Sequence, residues 1–126
     1  MADLKRVLLI TTGGTIASNP TPDGLAPQLS GRQILDFVPE IKDLAEIKVL
    51  PLLNLDSTNM GPRHWLQLKE AIRVHYEDYD AFVITHGTDT LAYTAAGLSY
   101  LIQNSAKPVV LTGSQQSIAR RDTGAR

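Results

Sequence analysis

The chain has 126 residues, 12 basic against 13 acidic side chains for a formal net charge of −1, 43% hydrophobic residues and no cysteine. That length and apolar content suit one globular domain burying roughly two-thirds of its unfolded surface, which excludes a disordered chain. Balanced charge argues against an electrostatic nucleic-acid binder, and the missing cysteine excludes disulfide scaffolds, thiolate metal sites and cysteine nucleophiles.

The first element is a strand at Val7-Leu8-Leu9-Ile10-Thr11, followed by Thr12-Gly13-Gly14-Thr15. Its apolar run is shorter than the roughly 7–15 residues of a signal-peptide core. No run in the chain approaches the ~18 apolar residues of a membrane span. A cytoplasmic location without membrane association is therefore expected. From Thr15 to Ser30 the sequence contains Pro20, Pro22, Gly24 and Pro27 without periodicity. It reads as a structureless connection, either a lid over a site or a tolerated surface insertion. A short helix is expected over Gln33–Val38, stopped by Pro39.

A second strand is expected over Ile47–Leu53, leading into Asn54-Leu55-Asp56-Ser57-Thr58-Asn59. The next helix, His64–Tyr76, places Trp65, Leu68 and Ile72 on one face. The third strand, Ala81–Thr85, runs into His86-Gly87-Thr88-Asp89-Thr90. A helix over Asp89–Gln103 comes next, with Leu91, Ala95, Leu98 and Ile102 as its core stripe. The fourth strand, Pro108–Thr112, ends at Gly113-Ser114-Gln115, and the polar, basic stretch Arg120–Arg126 comes soon afterwards. Continuous aliphatic strands alternating with amphipathic helices predict an α/β fold, a parallel sheet in a three-layer αβα domain with right-handed crossovers. Ligands in such folds sit beyond the carboxyl ends of the strands. The four polar segments just quoted should therefore carry the chemistry.

Gly13-Gly14 lets backbone approach a ligand, but neither nucleotide-binding glycine spacing is present. Thr15 is either a nucleophile beside oxyanion donors or a cap on the segment after it. Thr88-Asp89-Thr90 either caps its helix or supplies a hydroxyl and a carboxylate able to bind an ammonium group. Asp56-Ser57-Thr58 either caps the helix after Pro62 or offers donors to a substrate carboxylate. His64, His75 and His86 are too dispersed for a zinc site. His75 is expected on the helix surface, and His86 as a hydrogen-bonded strand-end residue. The G-x-S-x-G elbow of serine hydrolases is absent.

Thr11-Thr12-Gly13-Gly14-Thr15-Ile16-Ala17 and Thr85-His86-Gly87-Thr88-Asp89-Thr90 resemble the two signature segments of the bacterial-type L-asparaginase family. Asp56–Met60, Tyr79–Ile84 and Lys107–Gln115 resemble further family segments in the same order, closer in wording to the cytosolic type I enzymes. The resemblance covers essentially the whole of residues 1–126. It implies the N-terminal catalytic domain of an asparaginase, cut short at its C-terminal end and lacking a smaller second domain.

By that resemblance the activity is hydrolysis of L-asparagine to L-aspartate and ammonia, with no metal or other cofactor. Thr15 would be the nucleophile, forming a β-aspartyl enzyme. Thr88 and Asp89 would form a second triad with a lysine downstream of residue 126, and Asp89 would also bind the substrate ammonium. Asp56, Ser57 and Thr58 would hold the substrate carboxylate, while Gly87 and Ser114 line the pocket. Leu25 stands where many members carry a loop tyrosine beside the nucleophile. A homo-oligomer is implied, with a neighbouring protomer contributing to each site. The isolated 126-residue chain is expected to show little turnover, because its second triad lacks the lysine. Two other functions share these residues: a non-catalytic amino-acid-binding module, and the asparaginase-like subunit of a glutamyl-tRNA amidotransferase.

Overall fold

The structure is a computed structural model, which describes residues 3–14, 18–22, 24–27 and 30–118. Thr15 and the basic stretch 120–126 lie outside the described residues, as do the side chains of the segment containing Leu25. Four parallel strands form the main sheet: β1 (Lys5–Thr11), β4 (Ala45–Pro51), β5 (Ala81–Thr85) and β6 (Val109–Thr112), in the order β4-β1-β5-β6. β1 is central, which is why its run Leu8–Thr11 is buried throughout.

Helices cover both faces of this sheet. Helices α2 (Pro62–His75) and α3 (Leu91–Leu101) bring Leu68, Ala71, Ile72 and Leu98 against Leu8, Ile10, Phe82 and Ile84. Helix α1 (Gly31–Asp36) packs on the opposite face, where Gly31 meets Val49 and Thr11 and where Ile34 joins Ile118, Phe37 and Val38. With each large aliphatic side chain contributing roughly 1.5–3 kcal/mol on burial, the α2/α3 layer is the larger contributor to stability. The three-layer αβα reading holds.

Elements differ in detail from expectation, each for a visible reason. β4 ends at Pro51 rather than Leu53, because the amides of Leu52 and Leu53 both turn to the Thr11 carbonyl, at 3.1 Å. Helix α1 begins at Gly31, since Ser30 caps it through a box in which its hydroxyl accepts from Gln33 N and Gln33 Oε1 accepts from Ser30 N. Pro39, expected to stop the helix, starts a 3-10 turn, Pro39–Asp43. The supposedly structureless connection contains an antiparallel hairpin, β2 (Ser18–Thr21) with β3 (Gly24–Pro27). Its prolines argued against strands, but in a two-stranded ribbon each strand has an unpaired edge where a missing N–H does no harm.

Candidate functional site at the strand carboxyl ends

The loops after β1, β4 and β5 are drawn together by backbone contact. Gly13 and Gly14 both have positive φ, 101° and 85°. At Gly14 the reason is close approach: a Cβ there would lie 2.6 Å from Gly87 Cα and 2.7 Å from Gly87 N. Gly87 in turn abuts the β4 loop, since a Cβ on it would fall 2.6 Å from Ser57 Oγ. No side chain fits at either junction, so glycine is what allows three loops to share one edge.

Hydrogen bonds then fix the relative positions of these loops. Thr12 Oγ1 donates to the Thr85 carbonyl at 2.7 Å, and Leu55 N donates to the Thr12 carbonyl at 2.9 Å. The Asp89 amide donates to Ser57 Oγ at 3.2 Å, and Thr90 Oγ1 donates to the Ser57 carbonyl at 2.7 Å. Ser57 is thereby buried, whereas Asp56, Thr58, Thr88 and Asp89 are exposed at the rim.

These contacts fix which residues of the 56–58 and 88–90 segments act as caps. Helix α3 starts at Leu91, with Thr90 as N-cap but no side-chain cap, because the Thr90 hydroxyl is committed to Ser57. Thr88 and Asp89 are therefore not the caps of α3, and their side chains make no hydrogen bond to the described residues. Asp56 is a cap, but of the 3-10 turn Ser57–Asn59, where its Oδ1 accepts from Thr58 N at 3.0 Å. Helix α2 is entered instead at Gly61, whose amide donates to His64 Nδ1 at 2.9 Å, with Pro62 in its first turn. Gly113 brings the fourth loop in, its α-carbon side facing the His86 carbonyl and Thr88. Ser114 comes next, its hydroxyl accepting from Gln116 N at 3.2 Å. His75 is half-buried rather than superficial, its Nδ1 donating to the Ala71 carbonyl at 2.8 Å.

His86 sits immediately below this edge, fully buried, with Nδ1 2.6 Å from the Gly87 carbonyl and Nε2 2.8 Å from Thr94 Oγ1. Burial pushes its pKa below the ordinary histidine value, outweighing the upward pull of the Gly87 hydrogen bond. The folded chain therefore holds it neutral. On acidification the unfolded chain protonates first, near pH 6.5, so the folded state loses stability as pH falls from there to the lower folded value. Melting temperature should accordingly drop as pH falls below about 6.5, and His86→Asn should remove that histidine's share of the slope. An unchanged slope in the variant would show that His86 does not titrate this way.

Sequence reasoning missed Thr94 and gave Thr12 no role of its own beyond its place in the first polar segment; both are buried hydroxyls with partners distant in the chain. A cavity of about 690 Å³ bordered by Asp3, Arg6, Ile41 and Glu46 lies at the opposite, amino ends of the strands and includes none of the site residues. Among the described residues no helix is long and apolar enough to cross a membrane.

Comparison with known proteins identifies the family of the chain. The family model described as asparaginase, N-terminal, matches residues 6–126. The L-asparaginase of Thermococcus kodakarensis is 44% identical over 121 residues, covering 95% of this chain and 37% of that protein, and its solved structure superposes with a TM-score of 0.86. L-asparaginase 1 of Escherichia coli strain K12 is 43% identical over 122 residues, covering 91% of this chain and 35% of that protein. A glutamyl-tRNA(Gln) amidotransferase subunit of Methanococcus vannielii is 38% identical over 126 residues, covering 98% of this chain and 29% of that protein. The chain thus spans little more than a third of the length of the L-asparaginases it matches. On the family match across residues 6–126, and on a fold shared with a 44% identical L-asparaginase, the chain belongs to the asparaginase family through that family's N-terminal domain.

Proposed function

We propose that this domain supplies the nucleophile and the substrate clamp of a cytoplasmic, homo-oligomeric L-asparaginase that uses no metal or other cofactor. A lysine from outside residues 1–126 would complete its second triad. The observation that carries this reading is the junction at Gly14, Gly87 and Ser57. It brings the chain entering Thr15, the exposed Thr88 and Asp89, and the donors of the 57–58 turn to one edge.

The reaction follows from those groups. The Thr15 hydroxyl attacks the side-chain amide carbon of asparagine, and its proton passes by way of the Thr88 side of the site to the departing nitrogen. The C–N bond breaks, ammonia leaves and a β-aspartyl ester remains on Thr15 until water cleaves it. Peptide N–H groups at the loop junction receive the developing oxyanion. Asp89, whose carboxylate has no hydrogen bond to the described residues, holds the α-ammonium. Ser57 and Thr58 offer donors to the α-carboxylate, while Asp56 shapes the turn by holding the Thr58 amide. Gly87 and Ser114 line the pocket.

Asp89→Asn tests the clamp in the whole protein. Removing one charge-assisted contact to the ammonium should raise KM for L-asparagine about ten- to hundredfold. Binding of L-asparagine without any ammonia release by the wild type would instead favour an amino-acid-binding module. The similarity to a glutamyl-tRNA(Gln) amidotransferase subunit supports one further reading, with the same amide chemistry serving tRNA. Ammonia release that requires glutamyl-tRNA would favour it over a free-standing asparaginase.

A further inference from the structure

A directional chain of hydrogen bonds runs from helix α2 to the loop that carries Thr88. Trp65 Nε1 lies 3.0 Å from Thr94 Oγ1, Thr94 Oγ1 lies 2.8 Å from His86 Nε2, and His86 Nδ1 lies 2.6 Å from the Gly87 carbonyl. Its polarity is set from both ends. A carbonyl can only accept, so Nδ1 carries the proton; an indole N–H can only donate, so Thr94 Oγ1 receives it. Thr94 Oγ1 can accept from the indole and still donate, and with the imidazole neutral it gives its own proton to Nε2. The depressed pKa of His86 agrees. Thr94 and His86 are both fully buried, out of reach of bulk solvent. The indole is held within reach because Gly97, one turn beyond Thr94, leaves it room: a Cβ there would lie 2.5 Å from Trp65 Cε3.

The far end of this chain is a single peptide plane. The Gly87–Thr88 bond is trans, so anchoring its C=O on the imidazole points the Thr88 N–H away from it. That N–H has no acceptor among the described residues. We propose that Trp65, Thr94 and His86 are positioning residues, a relay of fixed polarity that orients the Gly87–Thr88 peptide and with it the loop bearing Thr88 and Asp89. The proposal rests on the hydrolase reading for its catalytic consequence, but not for its structural one.

The whole protein, labelled with 15N-histidine and on its backbone, tests both halves. Without substrate, the imidazole of His86 should show the Nδ1–H tautomer with an unprotonated, hydrogen-bonded Nε2. Thr94→Val should alter that signature and displace the Thr88 amide resonance, whereas Thr94→Ser should leave both in place. With L-asparagine, Thr94→Val should lower kcat about ten- to hundredfold with KM within about threefold, and Thr94→Ser should restore kcat to within about threefold. Should Thr94→Val fail to fold, His86→Asn and His86→Leu read the same link. The asparagine can still donate to the Gly87 carbonyl and should keep the Thr88 amide near its place, while the leucine cannot. An unmoved Thr88 amide in Thr94→Val, or indistinguishable amide shifts and kcat in the two His86 variants, would overturn the proposal. If the wild type releases no ammonia, the hydrolase reading fails, and the tautomer and amide shifts still decide the relay.

Discussion

Thr15→Ala should lower turnover of L-asparagine by the whole protein about a thousandfold or more, while leaving affinity for the amino acid within about threefold. The expectation follows from a division of labour within the proposed site. Carbon–nitrogen cleavage needs a hydroxyl at Thr15, but the grip on the amino-acid end comes from Asp89 and the 57–58 turn, which the substitution does not touch. Some residual rate should survive, because donors aimed at the oxyanion remain after a nucleophile is lost. Calorimetry with L-asparagine alongside an ammonia assay separates the two effects. Parallel loss of binding would move Thr15 from the chemistry to the clamp, and unchanged turnover would remove it from the mechanism altogether.

Gly14→Ala is expected to be the most damaging of small substitutions to the fold. Its φ of 85° is strained for any residue with a Cβ, and the new methyl would stand 2.6 Å from Gly87 Cα. The obstacle is backbone, so no side chain can swing aside. Left-handed strain of roughly 1–2 kcal/mol and overpacking of roughly 1–3 kcal/mol together come to about 2–5 kcal/mol. Against a typical total of about 5–15 kcal/mol, that should lower the melting temperature by about 10 °C or more. Gly61→Ala is the matched control, since its backbone is extended and nothing lies within 4 Å of the added atom. It should cost no more than about 1 kcal/mol. Equal melting of the two variants would mean that the loop junction yields more easily than its geometry indicates.

Legibility in the sequence varied with how local each determinant is. β5 was readable residue for residue, Ala81–Thr85, because a strand covered on both faces shows an unbroken aliphatic run. The α2 face of Trp65, Leu68 and Ile72 was equally plain from its period, and Leu68 and Ile72 are indeed core. On α3 the same periodicity pointed to Leu91, Ala95, Leu98 and Ile102, yet only Leu98 is fully buried, and the deepest residue of the helix is Thr94. A threonine is tolerated there because Trp65 and His86 satisfy it, partners 29 and 8 residues away that no local pattern links. The β2–β3 hairpin was hidden by prolines whose cost depends on whether an edge is paired, a fact of tertiary structure.

The site divides the same way. Which segments meet at the strand ends followed from the order of elements alone, because a parallel sheet sends every carboxyl end to one edge. So did the need for small, flexible residues there. What each polar side chain does at that edge required the assembled loops. Thr90 could have capped α3, but spends its hydroxyl on Ser57; Asp56 caps a 3-10 turn rather than α2; Thr88 and Asp89 are consequently left exposed. Periodicity and the succession of elements along the chain are written in neighbouring residues and survive without the rest of the fold. The partner of a hydroxyl or an imidazole is chosen by whatever folding brings within about 3 Å, and that choice exists only in three dimensions.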